Sequence, residues 1–278
     1  MKRAIDGILK SRRVGGEIMA VTERVAVITG GGSGIGRASA LLLAREGMKI
    51  ATIDRDFEEN LETVAKIKED GGDAFALLAE ISRPGEMSQA FAEIDSRWGR
   101  VDVVFANAGI NGVWASIEDL TPEDWDNTLE INLKSTFITV KYAVPYLKRQ
   151  GGSIIVTSSV NGTRVFSNTG ATAYACSKAG QVAFTKMMAV ELARYKIRVN
   201  VICPGSIDTN IDENTEQINL EAIEIPVEYP EGNIPLTGKK PASPFQVAHL
   251  VHFLASPASS HITGTEIWID GAESLLQG

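Results

Sequence analysis

A parallel β-sheet covered on both faces by helices is the α/β architecture this sequence predicts, and two observations predict it. Short β-branched runs alternate with longer stretches of helical periodicity along almost the whole chain. The strands read as near-continuous apolar runs rather than as alternating ones, as strands buried on both faces do.

Val25-Ala26-Val27-Ile28-Thr29 is too short for a helix and is stopped by glycines, so it is the first strand. Residues 34–46 place Ile35, Ala38, Leu41, Leu42 and Arg45 in helical register and end at Gly47, a plausible C-cap. Met48 to Ile53 is the second strand, ending at Asp54. A charged helix follows over 57–69, then a strand at 74–79, a helix at 84–98 and a strand at 101–105. One long helix is predicted from Pro122 to about Gln150, with Pro145 as the place for an interruption. A strand at 153–157, a helix at 173–194 and a strand at 198–202 continue the repeat. Residues 205–243, rich in Pro, Glu and Asn, read as irregular, followed by a helix over 244–256 and a last strand at 266–269.

Composition narrows the function classes. At 278 residues and 44% hydrophobic, the chain can bury a substantial core, and no second block of composition appears. Residues 22–278 therefore read as one domain, preceded by a basic and mobile extension over 1–21 in which Met19 is a candidate start. The net charge of -8 argues against nucleic acid or an anionic membrane as partner. Two cysteines, Cys176 and Cys203, without metal-type spacing, and no signal peptide or long apolar run, point to the cytoplasm. His249 and His252 lie three apart on a helix, but no third ligand suggests itself, and no metal site is expected.

The chemistry-bearing residues sit where strands end. Thr29-Gly30-Gly31-Gly32-Ser33-Gly34-Ile35-Gly36 joins the first strand to its helix. Absent side chains there let backbone N–H groups approach a pyrophosphate at the positive end of a helix. In isolation such a cluster is equally a flexible turn; its position between a strand and a helix favours the phosphate reading. Asp54, twenty residues beyond Gly34, is placed to accept from ribose hydroxyls and to repel a 2′-phosphate, which points to NAD rather than NADP. The adjacent Arg55 is the group that would welcome that phosphate. Asn107-Ala108-Gly109 after the fourth strand is compatible both with a close approach to a nucleotide and with a simple strand-ending turn. Tyr174 and Lys178 fall on one helix face, where the ammonium is expected to draw the phenol's pKa down toward working pH.

Together these motifs, with Asn132, Ser159 and Pro204-Gly205, make the chain resemble the short-chain dehydrogenase/reductase family over roughly residues 22–272. The resemblance implies a single Rossmann-type doubly wound sheet and a secondary alcohol interconverted with a ketone by hydride transfer. Tyr174 would then be the acid–base and Lys178 the group that tunes it and holds the nicotinamide ribose. Ser159 would bind the substrate oxygen, with adjacent Ser158 as the alternative assignment, and Asn132 would support a water linking Lys178 to solvent. For the cofactor it implies Gly30, Ser33, Gly34, Ile35 and Gly36 at the pyrophosphate, and Asp54 and Arg55 at the ribose. Glu80, where the family commonly has Asp, and Ile81 would lie at the adenine. Asn107, Ala108, Gly109, Pro204 and Gly205 would line the path, with Ile207 and Thr209 at the carboxamide. It also implies a homotetramer built on the helices around Asn132 and Tyr174 and on the tail Ile269-Asp270-Gly271-Ala272.

Substrate choice is expected in the loop after Gly205, where Asp208, Asp212, Glu213, Glu216, Glu221, Glu224, Glu228 and Glu231 occur without Lys or Arg. Folded over the site, these eight carboxylates would disfavour anionic substrates; otherwise they simply face water. Two other readings stand beside the dehydrogenase: an idle NAD-binding sensor or scaffold, and an epimerase or dehydratase with internal hydride transfer.

Overall fold

In the computed structural model, which describes residues 24–211 and 215–276, the strands assemble in the order β3-β2-β1-β4-β6-β7-β9, all parallel. The strands are β1 (Val25–Thr29), β2 (Lys49–Asp54), β3 (Ala74–Leu78), β4 (Val103–Ala106), β6 (Gly152–Thr157), β7 (Ile197–Pro204) and β9 (Glu266–Ile269). The chain runs outward from β1 through β2 to β3, then returns to the other side of β1 with β4. That reversal places a crevice between the carboxyl ends of β1 and β4, the switch point where open α/β sheets bind ligands. The basic extension over 1–21 lies outside the described residues.

Strand alternation divides the core. Along β4, Val103 and Phe105 point to one face and Val104 and Ala106 to the other. Helices α1 (Gly34–Arg45), α2 (Phe57–Glu69) and α7 (Pro244–Ala255) cover the first face through Leu43, Ile67 and Val251. Helices α3 (Pro84–Trp98), α5 (Ser135–Leu147) and α6 (Thr172–Leu192) cover the second through Phe91, Ile138 and Leu192. Fully burying each such side chain contributes about 1.5–3 kcal/mol.

Three sequence expectations are corrected. The strand expected from 101 begins at Val103, because Asp102 directs its carboxylate to the Val25 N–H and to Arg100 instead. The long helix from Pro122 does break, but not at Pro145, which α5 accommodates. α4 (Pro122–Leu129) passes into a π-helical turn, Glu130–Lys134, before α5 begins. There Ser135 and Thr136 bond back to the carbonyls of Ile131 and Asn132, and Gln181 donates to the Asn132 carbonyl, loosening the helical ladder. The segment after β7 is not wholly irregular. Its β8 (Thr215–Gln217) pairs in parallel with β5 (Gly112–Trp114), both too short to leave a periodic signal. Of the two readings of the loop's carboxylates, the described ones from Asp208 to Glu231 follow the second: they are exposed and face solvent.

Candidate active site

The first turn of the site is fixed by close backbone approach. Gly30 has φ +67, and a Cβ on it would lie 3.0 Å from the Ala108 Cα; one on Gly36 would lie 1.8 Å from the Gly30 carbonyl. Thr29 and Asn107 tie three strand ends together. The Thr29 hydroxyl accepts the N–H groups of Asn107 and Ala108, at 3.0 and 3.2 Å. The Asn107 amide donates to the Thr29 carbonyl at 3.3 Å and accepts from the Thr157 hydroxyl at 3.1 Å. Asn107 is thus a tie between β1, β4 and β6, and it also borders the cleft.

At the end of β2 the Asp54 carboxylate accepts from the Gly32 N–H at 2.8 Å and from the Asp56 N–H at 3.1 Å. Asp56, Glu59 and Glu80 border the same end of the cleft, with Arg55 among them. Burial, followed by the negative charges of Asp56 and Asp54, holds the Glu59 carboxyl above its ordinary value.

On α6, Tyr174 and Lys178 are both buried, and the Lys178 ammonium lies 5.4 Å from the centre of the tyrosine ring. The Lys178 ammonium donates to the Thr157 carbonyl at 3.0 Å. The expected lowering of the phenol does not appear. Burial raises it above its ordinary value, against a hydrogen bond from Ser159, while burial pulls the Lys178 ammonium down to about 8. Desolvation disfavours the charged form of each group.

The two adjacent serines separate cleanly. The Ser158 hydroxyl donates to the Lys178 carbonyl at 2.8 Å, a packing role, whereas Ser159 bonds the phenol and accepts from the Asn161 N–H.

All the predicted site residues border one cleft of about 700 Å³ except Gly36 and Asn132. Gly36 shapes the turn from beneath. Asn132 is buried in the π-helical turn, and its amide accepts from the Ile110 N–H and donates to the Ile110 carbonyl and the Ser177 hydroxyl. These bonds pin the loop after β4 to α6, and both the Asn132 oxygen and the Lys178 ammonium lie close to Gly109.

Sequence reasoning missed Asn111, Trp114, Asn233 and Glu273, which also border the cleft. Asn111 donates to the Thr215 hydroxyl at 2.7 Å, and Trp114 accepts from the Ile218 N–H at 2.9 Å, so β5 holds the segment after β7 over the site. Only the place of Asn111, just beyond Asn107-Ala108-Gly109, could have drawn notice to it.

A glycine turn and a buried Tyr–Lys pair at the switch point of a parallel sheet define a nucleotide-dependent oxidoreductase of the α/β class. A family model described as enoyl-(acyl carrier protein) reductase matches residues 30–272. A 3β-hydroxysteroid dehydrogenase of Mediterraneibacter gnavus is 34% identical over 271 residues, covering 92% of this chain and 97% of its own. A solved 3-ketoacyl-ACP reductase from Sinorhizobium meliloti is 49% identical, with a TM-score of 0.88, covering 91% of this chain and 99% of its own. A 3-ketoacyl-(acyl-carrier-protein) reductase from Brucella melitensis, solved with NADH, is 29% identical at a TM-score of 0.79, covering 90% of this chain and 98% of its own. The chain belongs to the short-chain dehydrogenase/reductase family.

Proposed function

We propose that this protein interconverts a secondary alcohol and a ketone with NAD, Tyr174 serving as acid–base. The observation that carries the reading is the buried Tyr174 phenol, bonded to Ser159 and one turn from Lys178, in the lining of the switch-point cleft. Family members named for oxidising a hydroxysteroid and for reducing a ketoacyl group support it.

The residues fit a dinucleotide. The side-chain-free turn at Gly30, Ser33 and Gly34 would hold a pyrophosphate, Asp54 the adenosine ribose, and Glu80 and Ile81 the adenine. Tyr174 and Lys178 would hold the second ribose, and Ile207 and Thr209 the carboxamide. The chemistry a bound nicotinamide supplies is the acceptance or return of one hydride. Ser159 would orient the substrate oxygen and stabilise charge developing on it. A phenol kept neutral by burial is ready to give its proton to a ketone oxygen; in the reverse direction the phenol first gives up its proton, and the phenolate then takes the proton of the alcohol.

Asp54, Asp56, Glu59 and Glu80 at one end of the cleft, with Arg55 among them, support NAD over NADP. Asp54→Asn should shift the ratio of kcat/KM for NAD to that for NADP by about 10–100-fold toward NADP, the worth of one charged hydrogen-bond partner. An unchanged ratio would remove Asp54 as the discriminator.

NADH formation from NAD over a panel of neutral secondary alcohols tests the reaction itself. Tyr174→Phe should lower kcat by about 10²–10⁴-fold, with NADH affinity retained. Activity surviving in that variant would overturn the assignment. Neither the idle module nor the internal-redox reading gains an observation of its own.

Phe137 on α5 and Met187 and Val190 on α6 are exposed apolar side chains, which supports association through these helices into the proposed homotetramer. A monomer in light scattering would refute it. No helix among the described residues is long and apolar enough to cross a membrane, and Cys176 and Cys203 are both free thiols, in keeping with the proposed cytoplasmic location.

A further inference from the structure

The two ends of the cleft carry different charge. Apart from Asp54, Arg55, Asp56, Glu59 and Glu80, the described lining residues hold two formal charges, Lys178 and Glu273. Lys178 is almost fully buried and directs its ammonium to the Thr157 carbonyl, so it offers little to a distant anion. The two groups that bond Glu273, the Ser206 N–H and the Asn233 amide, are neutral, and the nearby Asp270, which does not border the cleft, adds negative charge beside it.

Glu273 is held in place. It opens the 3-10 turn Glu273–Leu275 and reaches back to the segment after β7, where Oε2 accepts from the Ser206 N–H at 2.9 Å. Its Oε1 accepts from the Asn233 amide at 2.9 Å. A Cβ on Gly205 would lie 2.6 Å from Oε2, so the glycine is what lets the carboxylate settle against the strand end. A carboxylate has about four lone-pair positions, so these two donors leave it able to accept more. Burial raises the Glu273 carboxyl, opposed chiefly by the Ser206 N–H, which marks a site partly shielded from water.

We infer that Glu273 determines specificity: its carboxylate accepts a hydrogen bond from a second donor group on the substrate and excludes substrates that carry an anion there. The substrate class is therefore uncharged alcohols and ketones with a hydroxyl or amide donor away from the reacting carbon. The inference rests on the dehydrogenase reading and adds the substrate class to it. It also moves the source of anion exclusion from the loop carboxylates, whose described members face solvent, to one residue outside that loop.

The test uses the full-length protein with NADH and a matched pair, 3-hydroxycyclohexanecarboxamide and 3-hydroxycyclohexanecarboxylate, with binding read from NADH fluorescence. The amide should bind the enzyme–NADH complex at least about tenfold tighter than the carboxylate, and E273Q should reduce that preference to about threefold or less. Equal binding of the two compounds, an undiminished preference in E273Q, or binding of neither would overturn the inference. If E273Q fails to fold, the wild-type preference decides on its own, with a ratio near one overturning the proposal. Failure of the dehydrogenase reading looks different: the amide binds selectively but yields no NADH when supplied with NAD.

Discussion

The adenosine end and the substrate end of the cleft are built on opposite plans. The first is made of consecutive residues at the ends of β1, β2 and β4, locked by backbone contacts such as Gly30 against Ala108 and Asp54 on the Gly32 N–H. The second is assembled from places far apart in the chain: Asn111 beside β5, Asn233 in the long segment after β7, and Glu273 near the end. The ends of β1 and β4 cannot shift without disturbing two fully buried strands, whereas the substrate end hangs on a few side-chain bonds and three paired residues in β5 and β8. The plan suits one end to a constant ligand and the other to a variable one.

On that contrast, the largest effect belongs to the rigid end. Gly36→Ala places a methyl 1.8 Å from the Gly30 carbonyl, with no flexible side chain to give way. NADH affinity should fall about 100-fold or more, and stability by about 1–3 kcal/mol as the turn is overpacked. Fluorescence titration and urea unfolding would measure the two. An affinity within about threefold of wild type would show that the turn is softer than its backbone contacts imply, and the contrast would weaken.

Between the two ends stands Lys178, and its burial gives a pH signature of intermediate size. Its folded-state value of about 8 lies below the ordinary lysine value of 10.5, so the unfolded chain binds the extra proton between those limits. The group therefore costs stability below pH 8, and the cost disappears as pH rises toward 10.5. From pH ~8 to ~9.5, wild type should gain about 1.5 kcal/mol relative to Lys178→Met in urea unfolding. Tyr174 does not confuse the comparison, since burial raises its phenol and its contribution appears only at higher pH. A flat difference would mean that the ammonium is solvated and that burial does not govern the pair.

The same contrast explains what could be read from the sequence. β1, the glycine turn, Asp54 and the Tyr174–Lys178 spacing are local patterns, and local patterns survive in a string of letters. The preference for Ser159 over Ser158 came from the family pattern, but its cause, Ser158 donating to the Lys178 carbonyl, is a contact across twenty residues. The π-helical turn at 130–134 was invisible because it depends on Gln181 reaching the Asn132 carbonyl from another helix. Pro145 looked like the breaker because proline is a local signal, yet tertiary packing carried α5 through it. Glu273 carries no pattern at all. Its place is set by Gly205, Ser206 and Asn233, which only the folded chain brings together.

The smallest expected effect is the one that would sharpen the comparison most. Asn111 fastens the segment after β7 through a single bond to Thr215, beside the short pairing of β5 with β8. Asn111→Ala removes that bond and nothing at the adenosine end. One neutral hydrogen bond is worth about 1 kcal/mol, so KM for the alcohol should rise about fivefold while NADH affinity stays within about twofold. Steady-state kinetics and NADH titration on the same preparation would separate the two. A parallel loss of NADH affinity would show that the cover over the substrate and the cradle for the cofactor open as one unit. A loss confined to the alcohol means that the substrate end can be rebuilt, residue by residue, without touching the site that binds the cofactor.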